Sequence, residues 1–199
     1  MTSHSMAAPD RVVVAITGAS GAIFGIRLLE RLKEFDVEVH LIVSSWGSRT
    51  IRHETDFSLK QTLELADVVH KSGDLGAKVS SGSFVTRGMI IAPCSVKTLA
   101  AVASGFANDL VSRAADVTLK ERRRLVLMVR ESPLSEIHLG NMLKLAQMGA
   151  SIVPPMPAFY DRPQSLDDMV DHVITRVLDQ VGLHSESTSR WDGVLGSDE

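Results

Sequence analysis

The sequence predicts a three-layer α/β fold of the Rossmann-like (flavodoxin-type) class, in which helices flank a parallel sheet. Short continuous apolar runs, the first of them Arg11–Thr17, are typical of strands that are buried on both faces of a sheet. Segments with helical periodicity separate these runs. Because alternating strands and helices favour right-handed crossovers, the strands are expected to be parallel.

The first half of the chain predicts three strands and two helices. Gly18–Gly21 breaks the first apolar run, and small residues there allow a tight turn into a helix. Ser44 and Ser45 open the second helix, which is consistent with the preference of serine for helix N-termini. The predicted elements are a strand at Arg11–Thr17, a helix at Ala22–Glu34, a strand at Glu38–Val43, a helix that ends near Arg52 and a short strand at Asp67–His70.

The second half begins with a polar loop at Lys71–Ser83 and continues the alternation. Ser135 and Ser165 are predicted helix caps, and Asp167 and Asp168 follow Ser165 in the first turn, where the helix dipole favours carboxylates. The predicted elements are a strand at Met89–Ala92 ended by Pro93, helices at Ser95–Ser104 and Leu110–Leu119, a strand at Leu125–Val129, a helix to Gln147, a strand at Ser151–Val153 and a last helix with the apolar stripe Leu166, Val170, Val173 or Ile174, Val177 and Val181.

Length and composition limit the number of domains and the classes of partner that the chain can have. The 199 residues suit one domain, predicted over residues 11–183, with a loose leader at 1–10 and a polar tail at 184–199. A net charge of −3 excludes a strongly basic nucleic-acid binder and gives no reason to expect an anionic membrane surface. One cysteine excludes an intramolecular disulfide, the N-terminus is polar and no run is long enough for a membrane span, so we expect a soluble cytoplasmic protein.

The residues that follow each predicted strand suggest a phosphorylated ligand. In doubly wound sheets, ligands bind beyond the carboxyl ends of the strands, and here those positions hold small, hydroxylic or charged residues. The glycine spacing of Gly18, Gly21 and Gly25 differs from that of dinucleotide-binding loops, and Ser44 stands where an NAD site needs a carboxylate. A mononucleotide such as FMN therefore fits better than a dinucleotide.

Other candidate residues leave two interpretations open. Glu131 is either a proton relay at a strand end or the partner of a neighbouring arginine, and Tyr160 is either a packing anchor or a ligand contact. Cys94 is predicted as a packing residue rather than a nucleophile, and the seven histidines lack the spacing of a metal site. The remaining basic candidates are Arg113, Arg130 and Arg176 as donors to phosphate, and Lys120 beside an apolar strand.

Nine stretches together resemble the UbiX-type flavin prenyltransferases in order and spacing over residues 11–193. Among them are the glycine loop at 17–22, the sequence APCSVKTL at 92–99 and LVLMVRESPL at 125–134. The others are Ser80–Phe84, Arg113–Val117, Leu119–Arg123, Pro154–Tyr160, Arg162–Asp168 and Arg190–Trp191.

The resemblance implies an enzyme that joins the dimethylallyl group of dimethylallyl phosphate to N5 and C6 of reduced FMN. Phosphate leaves, and the prenylated FMN serves UbiD-type decarboxylases. The resemblance also implies a homododecamer with sites at subunit junctions. It does not separate members that accompany phenolic-acid decarboxylases from those of ubiquinone biosynthesis.

The resemblance further implies roles for individual residues. Glu131 matches a carboxylate that handles protons, Glu54 one contributed by a neighbouring subunit, and Trp191 an aromatic residue near the prenyl site; Ser20 and Lys120 are the other expected catalytic residues. Tyr160, Arg176, Arg113 and Lys120 are expected to bind the dimethylallyl phosphate. The expected FMN contacts are Gly18, Ala19, Ser20, Ser44, Ser95, Val96, Lys97, Thr98 and Arg130.

Two other functions remain as alternatives. One is a flavin-dependent cysteine decarboxylase of the same fold type, although Ser44, Ser45 and Trp46 offer no histidine where that class needs one and only His53 lies nearby. The other is a non-catalytic FMN-binding subunit of an aromatic acid decarboxylase, which would not need a second phosphate site. Asn108-Asp109 departs from the family pattern of an acid followed by Asn or Gly.

Overall fold

One parallel sheet organises the protein, whose computed structural model describes residues 10–185. Its strands are β1 (Arg11–Ile16), β2 (Glu38–Val43), β3 (Val68–Lys71), β4 (Gly88–Cys94), β5 (Arg124–Val129) and β6 (Ser151–Ile152). The sheet order is β3-β2-β1-β4-β5-β6 and every pairing is parallel. The strand order therefore reverses between β1 and β4, where doubly wound folds place their ligands. The predicted fold class is confirmed.

Helices cover both faces of this sheet. They are α1 (Ala22–Leu32), α2 (Ser45–Glu54), α3 (Leu59–Leu63), α4 (Val96–Ser104), α5 (Leu110–Lys120), α6 (Glu136–Gln147) and α7 (Leu166–Gln180). Alternate residues of β1 face opposite layers: Val12 and Val14 pack in a core with α1 and α7, whereas Val13 and Ala15 pack in a core with α4, α5 and α6. This two-sided burial is the reason that β1 is apolar throughout.

Three predicted details are wrong. Strand β4 does not end at Pro93 but continues to Cys94, with an irregular register against β5 between Ile91 and Cys94. Helix α3 was not predicted, although Ser58 and Gln61 form a capping box at its start. Leu166 does not belong to the buried stripe of α7, because it is 80% exposed and burial begins at Val170.

The carboxyl ends of the strands and the N-termini of several helices lie at one edge of the sheet. The backbone joins neighbouring loops there: Ser44 N donates to Ile16 O over 3.0 Å, and Thr17 N donates to Pro93 O over 3.2 Å. This edge therefore brings together the loops after β1, β2 and β4. The predicted leader up to Pro9 and the tail from 186 onward, including Trp191, lie outside the described residues.

Among residues 10–185, no helix is both long enough and apolar enough to cross a membrane.

Candidate active site

A cavity of about 410 Å³ opens at the carboxyl edge of the sheet. Five of the expected FMN contacts line it, namely Gly18, Ser44, Ser95, Lys97 and Thr98. Its volume lies in the range of small-molecule sites. Sequence reasoning missed further lining residues, among them Trp46, Ser72 and Asn108. The only sequence signal for such residues is that they follow a predicted strand. Trp46 and Ser72 carry this signal, as do the expected FMN contacts Ser44 and Ser95.

Helix N-termini converge on this cavity and make it suitable for an anion. Ser44 caps α2, where its hydroxyl accepts from Gly47 N over 3.0 Å, and Ser95 caps α4, where its hydroxyl accepts from Thr98 N over 3.3 Å. Asp109, at the start of α5, also lines the cavity. The exposed Lys97 adds a positive charge. Backbone N–H groups, hydroxyls and one ammonium group are the donors that a phosphate monoester needs.

Thr17 holds two walls of the cavity together. Its side chain is buried, its hydroxyl donates to Pro93 O over 2.8 Å and it accepts from Ser95 N over 2.9 Å. The loop after β1 is thus fixed to the start of α4. This contact positions Ser95 without using the hydroxyl of Ser95 itself.

Glycine at position 18 allows α2 to approach the first loop. A β-carbon built on Gly18 would lie 2.4 Å from the β-carbon of Trp46. Trp46 is 61% exposed, and its ring lies under the guanidinium of Arg49 at 4.6 Å. The close approach of Gly18 and Trp46 therefore defines one wall of the cavity.

The carboxylate of Glu54 binds the end of the first loop, where α1 begins. Glu54, at the end of α2, accepts from Gly21 N over 2.7 Å and from Ala22 N over 3.1 Å. Burial would raise the pKa of Glu54, but these N–H donors, the Ser20 side chain and the charge of Arg130 together hold that pKa below its ordinary value. The structure thus brings Ser20, Glu54 and Arg130 together, and Glu54 contacts the loop of its own chain.

Glu131 and Arg130 follow β5 at the same edge. Arg130 N donates to Cys94 O over 3.1 Å, which ties this turn to the end of β4. The carboxylate of Glu131 accepts from the adjacent Ser132 N over 3.1 Å. Ala19, in the first loop, and Val96, the first residue of α4, are not among the lining residues of the cavity.

Arg176 lies on α7, and Tyr160 lies in the segment before that helix. The phenol oxygen of Tyr160 lies 3.3 Å from Nε2 of His172, and the two rings meet edge to face. Arg176 follows His172 by one helical turn, and its Nη1 donates to Asp179 over 3.1 Å. Tyr160 and Arg176 are therefore related through His172, which contacts Tyr160 and lies one helical turn before Arg176.

Lys120 and Arg113 do not reach the cavity of their own chain. Helix α5 starts at the cavity and runs about 16 Å toward the opposite edge of the sheet. Lys120 lies at the far end, where it pairs with Glu121 beside the Gly82 loop. Arg113 lies on the outward side of the helix and pairs with Asp116 over 2.9 Å. Within one chain, these two cations and the predicted FMN contacts form separate groups.

Cys94 is fully buried, as predicted for a packing residue. Burial raises the pKa of its thiol to about 12, so the thiolate form is negligible at neutral pH. Among residues 10–185, no group of three or more His, Cys, Asp or Glu side chains is arranged to hold a metal ion.

Known proteins resemble this chain along most of its length. The Flavoprotein family model matches residues 1–178. A probable UbiX-like flavin prenyltransferase of Streptomyces sp. (strain D7) is 58% identical over 185 residues, which cover 92% of each chain. The crystal structure of AnUbiX (PadA1) in complex with FMN and dimethylallyl pyrophosphate superimposes with a TM-score of 0.93 at 52% identity, covering 94% of this chain and all of that one.

A second solved structure has a similar match. It is a dodecameric FMN-dependent UbiX-like decarboxylase from Escherichia coli O157:H7. Its TM-score is 0.90 and its identity 53%, covering 92% of this chain and 100% of that chain. Peptidyl-cysteine decarboxylase EpiD, by contrast, is only 14% identical at a TM-score of 0.61, so its likeness shows the fold alone.

Proposed function

This chain belongs to the Flavoprotein family and, within it, to the UbiX-like flavin prenyltransferases, and on that basis we propose how it performs the reaction. The protein is a flavin prenyltransferase that acts on FMN. The proposed reaction joins the dimethylallyl group of dimethylallyl phosphate to N5 and C6 of reduced FMN and releases phosphate. The observation that carries this proposal is the cavity at the switch point of the sheet, lined by the N-terminal residues of α2 and α4.

The donor set of this cavity fits FMN. Gly18 leaves space for a ligand close to the backbone, and the N-termini of α2 and α4 point N–H groups toward a phosphate. Ser44, Ser95 and Thr98 offer hydroxyls that suit a polyhydroxylated ribityl chain, and Lys97 neutralises charge. Reduced FMN, when bound, supplies the nucleophilic N5 and C6 positions. The remaining expected contacts, Ala19, Ser20, Val96 and Arg130, stand beside the same loops.

Tyr160 and Arg176 hold the phosphate of the prenyl donor in this proposal. The phenol donates one hydrogen bond, and the guanidinium presents a fork of donors to a leaving phosphate. Because Lys120 and Arg113 lie on the outward side of α5, they complete the phosphate site of a neighbouring copy rather than that of their own chain. The positive charges stabilise the phosphate as its negative charge develops.

Proton handling falls to Glu131, which follows β5, and to Glu54, which binds the loop after β1. Glu131 accepts the proton lost from C6, since it follows β5 next to the flavin contact Arg130. Ser20 acts together with Glu54. The hydroxyl of Ser20 donates to the Glu54 carboxylate, which fixes that hydroxyl at the first loop. Trp191, outside the described residues, is proposed to cover the prenyl group.

The assembly and the product recipient complete the proposal. The dodecamer of the E. coli relative suggests that this chain also forms a dodecamer, which would supply the neighbouring α5. A UbiD-type decarboxylase is the proposed recipient of prenylated FMN, and the cytoplasm is the proposed location. The single cysteine, buried as a thiol, is compatible with a reducing compartment.

An anaerobic mixture of the protein, reduced FMN and dimethylallyl phosphate tests the function by mass spectrometry. The expected product is FMN carrying one added five-carbon unit. Bound FMN with no adduct would indicate the non-catalytic flavin-binding subunit instead. Carbon dioxide release from a phenolic acid by the protein and FMN alone would indicate a decarboxylase, the second candidate, since the E. coli relative is named an FMN-dependent UbiX-like decarboxylase.

Lys120→Ala tests the shared phosphate site. We expect nearly unchanged FMN affinity and adduct formation slowed about a hundredfold, since one charged contact to a developing anion is removed. Lys60→Ala is the matched control, because Lys60 is an exposed lysine on α3 that pairs with Glu64. Equal loss of FMN binding and adduct formation in Lys120→Ala would contradict the assigned role.

A further inference from the structure

Three side chains form a row beside α7, joined by one hydrogen bond and one ion-pair contact. The phenol oxygen of Tyr160 lies 3.3 Å from Nε2 of His172, and the carboxylate of Asp161 lies 3.3 Å from Nδ1 of the same ring. The imidazole is 16% exposed, whereas Tyr160 is 49% exposed. The row therefore runs from a carboxylate, through a mostly buried imidazole, to a phenol that reaches solvent.

Helix α7 fixes the position of His172, the middle residue of this row. His172 lies within α7, and the next three residues along the helix, Val173, Ile174 and Thr175, are buried. The ring of Tyr160 meets the imidazole edge to face, with centroids 5.4 Å apart. Tyr160 itself lies in the irregular segment between β6 and α7. The helix thus places His172 at a defined position against a tyrosine that lies outside any helix or strand.

The carboxylate determines which imidazole nitrogen carries hydrogen. Nδ1 of His172 faces the carboxylate of Asp161 at 3.3 Å, and since a carboxylate only accepts, hydrogen on Nδ1 is the favourable arrangement. A ring that accepts at Nε2 takes the single phenolic hydrogen of Tyr160 and leaves none for a phosphate. A ring that donates from Nε2 to the phenol oxygen leaves that hydrogen for another acceptor. Only the second arrangement therefore lets Tyr160 donate to a phosphate.

We propose that His172, paired with Asp161, is a positioning residue that donates from Nε2 to the Tyr160 oxygen and so leaves the phenolic hydrogen directed toward the phosphate of the prenyl donor. This inference rests on the proposed function, in which Tyr160 contacts that phosphate. His172 itself touches neither the flavin nor the donor. Its effect on the reaction is transmitted entirely through the phenol.

A double-mutant cycle between positions 160 and 172 tests this dependence. His172→Phe keeps the ring that packs against Tyr160 but removes both nitrogens, Tyr160→Phe removes the hydroxyl, and the double variant removes both. His172→Gln keeps a polar group near the position of Nε2. The measured quantities are kcat and KM for dimethylallyl phosphate at saturating reduced FMN, the FMN Kd and the thermal melting temperature.

The expected result separates an orienting role from a structural one. His172→Phe should lower kcat/KM for the donor about tenfold with unchanged FMN affinity, as expected for loss of one hydrogen bond. His172→Gln should recover most of that loss. In the Tyr160→Phe background, His172→Phe should change kcat/KM less than about twofold, because the two positions act as a unit.

Two results would overturn the inference. One is a His172→Phe enzyme that matches the wild type, and the other is an equal loss with and without the Tyr160 hydroxyl, which would make His172 a packing residue only. A wild-type protein that forms no prenylated flavin would instead refute the proposed function, so the two failures are distinguishable.

Discussion

Replacing Gly18 with alanine should deform the flavin cavity. The added β-carbon would lie 2.4 Å from the β-carbon of Trp46. That distance is more than ~1 Å shorter than the ~3.5–4.0 Å of an unstrained carbon contact. Either the first loop or the start of α2 must therefore move. Since Gly18 and Trp46 both line the cavity, each movement changes the space available to FMN.

The magnitude follows from the cost of inserting a methyl group into a packed contact. Overpacking costs about 1–3 kcal/mol. If the cost falls on the flavin-bound shape, the Kd for FMN rises by about five- to 150-fold. Titration of FMN fluorescence measures this Kd directly. Gly140→Ala is the matched control, because a β-carbon at Gly140 on α6 meets nothing within 4 Å and alanine favours a helix.

The rescue variant makes the prediction specific. Trp46→Gly removes the β-carbon that Gly18→Ala would strike, so the double variant should bind FMN more tightly than Gly18→Ala alone. The reasoning is refuted if Gly18→Ala binds FMN within about twofold of the wild type, because a defined wall of the cavity would then have moved without consequence.

Three further predictions concern stability and reactivity. Thr17→Val removes the acceptor of Ser95 N, which should cost about 1–3 kcal/mol and lower the melting temperature by several degrees in a calorimetric scan; an unchanged Tm would contradict the bracing role. Burial raises the pKa of the Cys94 thiol to about 12, so a thiol reagent at pH 8 should leave the native protein unmodified and label one thiol per chain after unfolding. The pKa of Glu54 is below its ordinary value of 4.5, so its contribution to stability is complete above that pH and is lost as the pH falls through the lower folded-state value; denaturant titrations from pH 7 to pH 3 should show a shallower loss in Glu54→Gln than in the wild type.

Local sequence patterns were sufficient for most of the fold. Arg11–Ile16 was recognisable because a strand buried on both faces carries apolar residues at every position, and α7 was recognisable from its Ser165 cap and acidic first turn. Helix α3 was missed because five residues are too short to show a period. The end of β4 was wrong because proline is a strong signal for a strand end, yet here the strand continues through Pro93 with an irregular register.

The candidate site divides into a part that local sequence predicts and a part that depends on three-dimensional arrangement. Ser44 and Ser95 follow strands directly, so the rule for doubly wound sheets placed them at the cavity. Lys120 is different, because its helix carries it to the opposite edge of the sheet, and the role that we propose for it needs a second copy of the chain. His172 had no sequence signal, since its partners Tyr160 and Asp161 lie eleven or twelve residues away.

A crystal structure with both FMN and dimethylallyl phosphate bound tests the central claim most directly. We expect the flavin in the cavity lined by Gly18, Ser44 and Ser95, and the donor phosphate held by Tyr160 and Arg176 with Lys120 of a neighbouring copy. A structure in which only one phosphate position is filled, or in which Tyr160 and Arg176 lie far from the flavin ring, would contradict it.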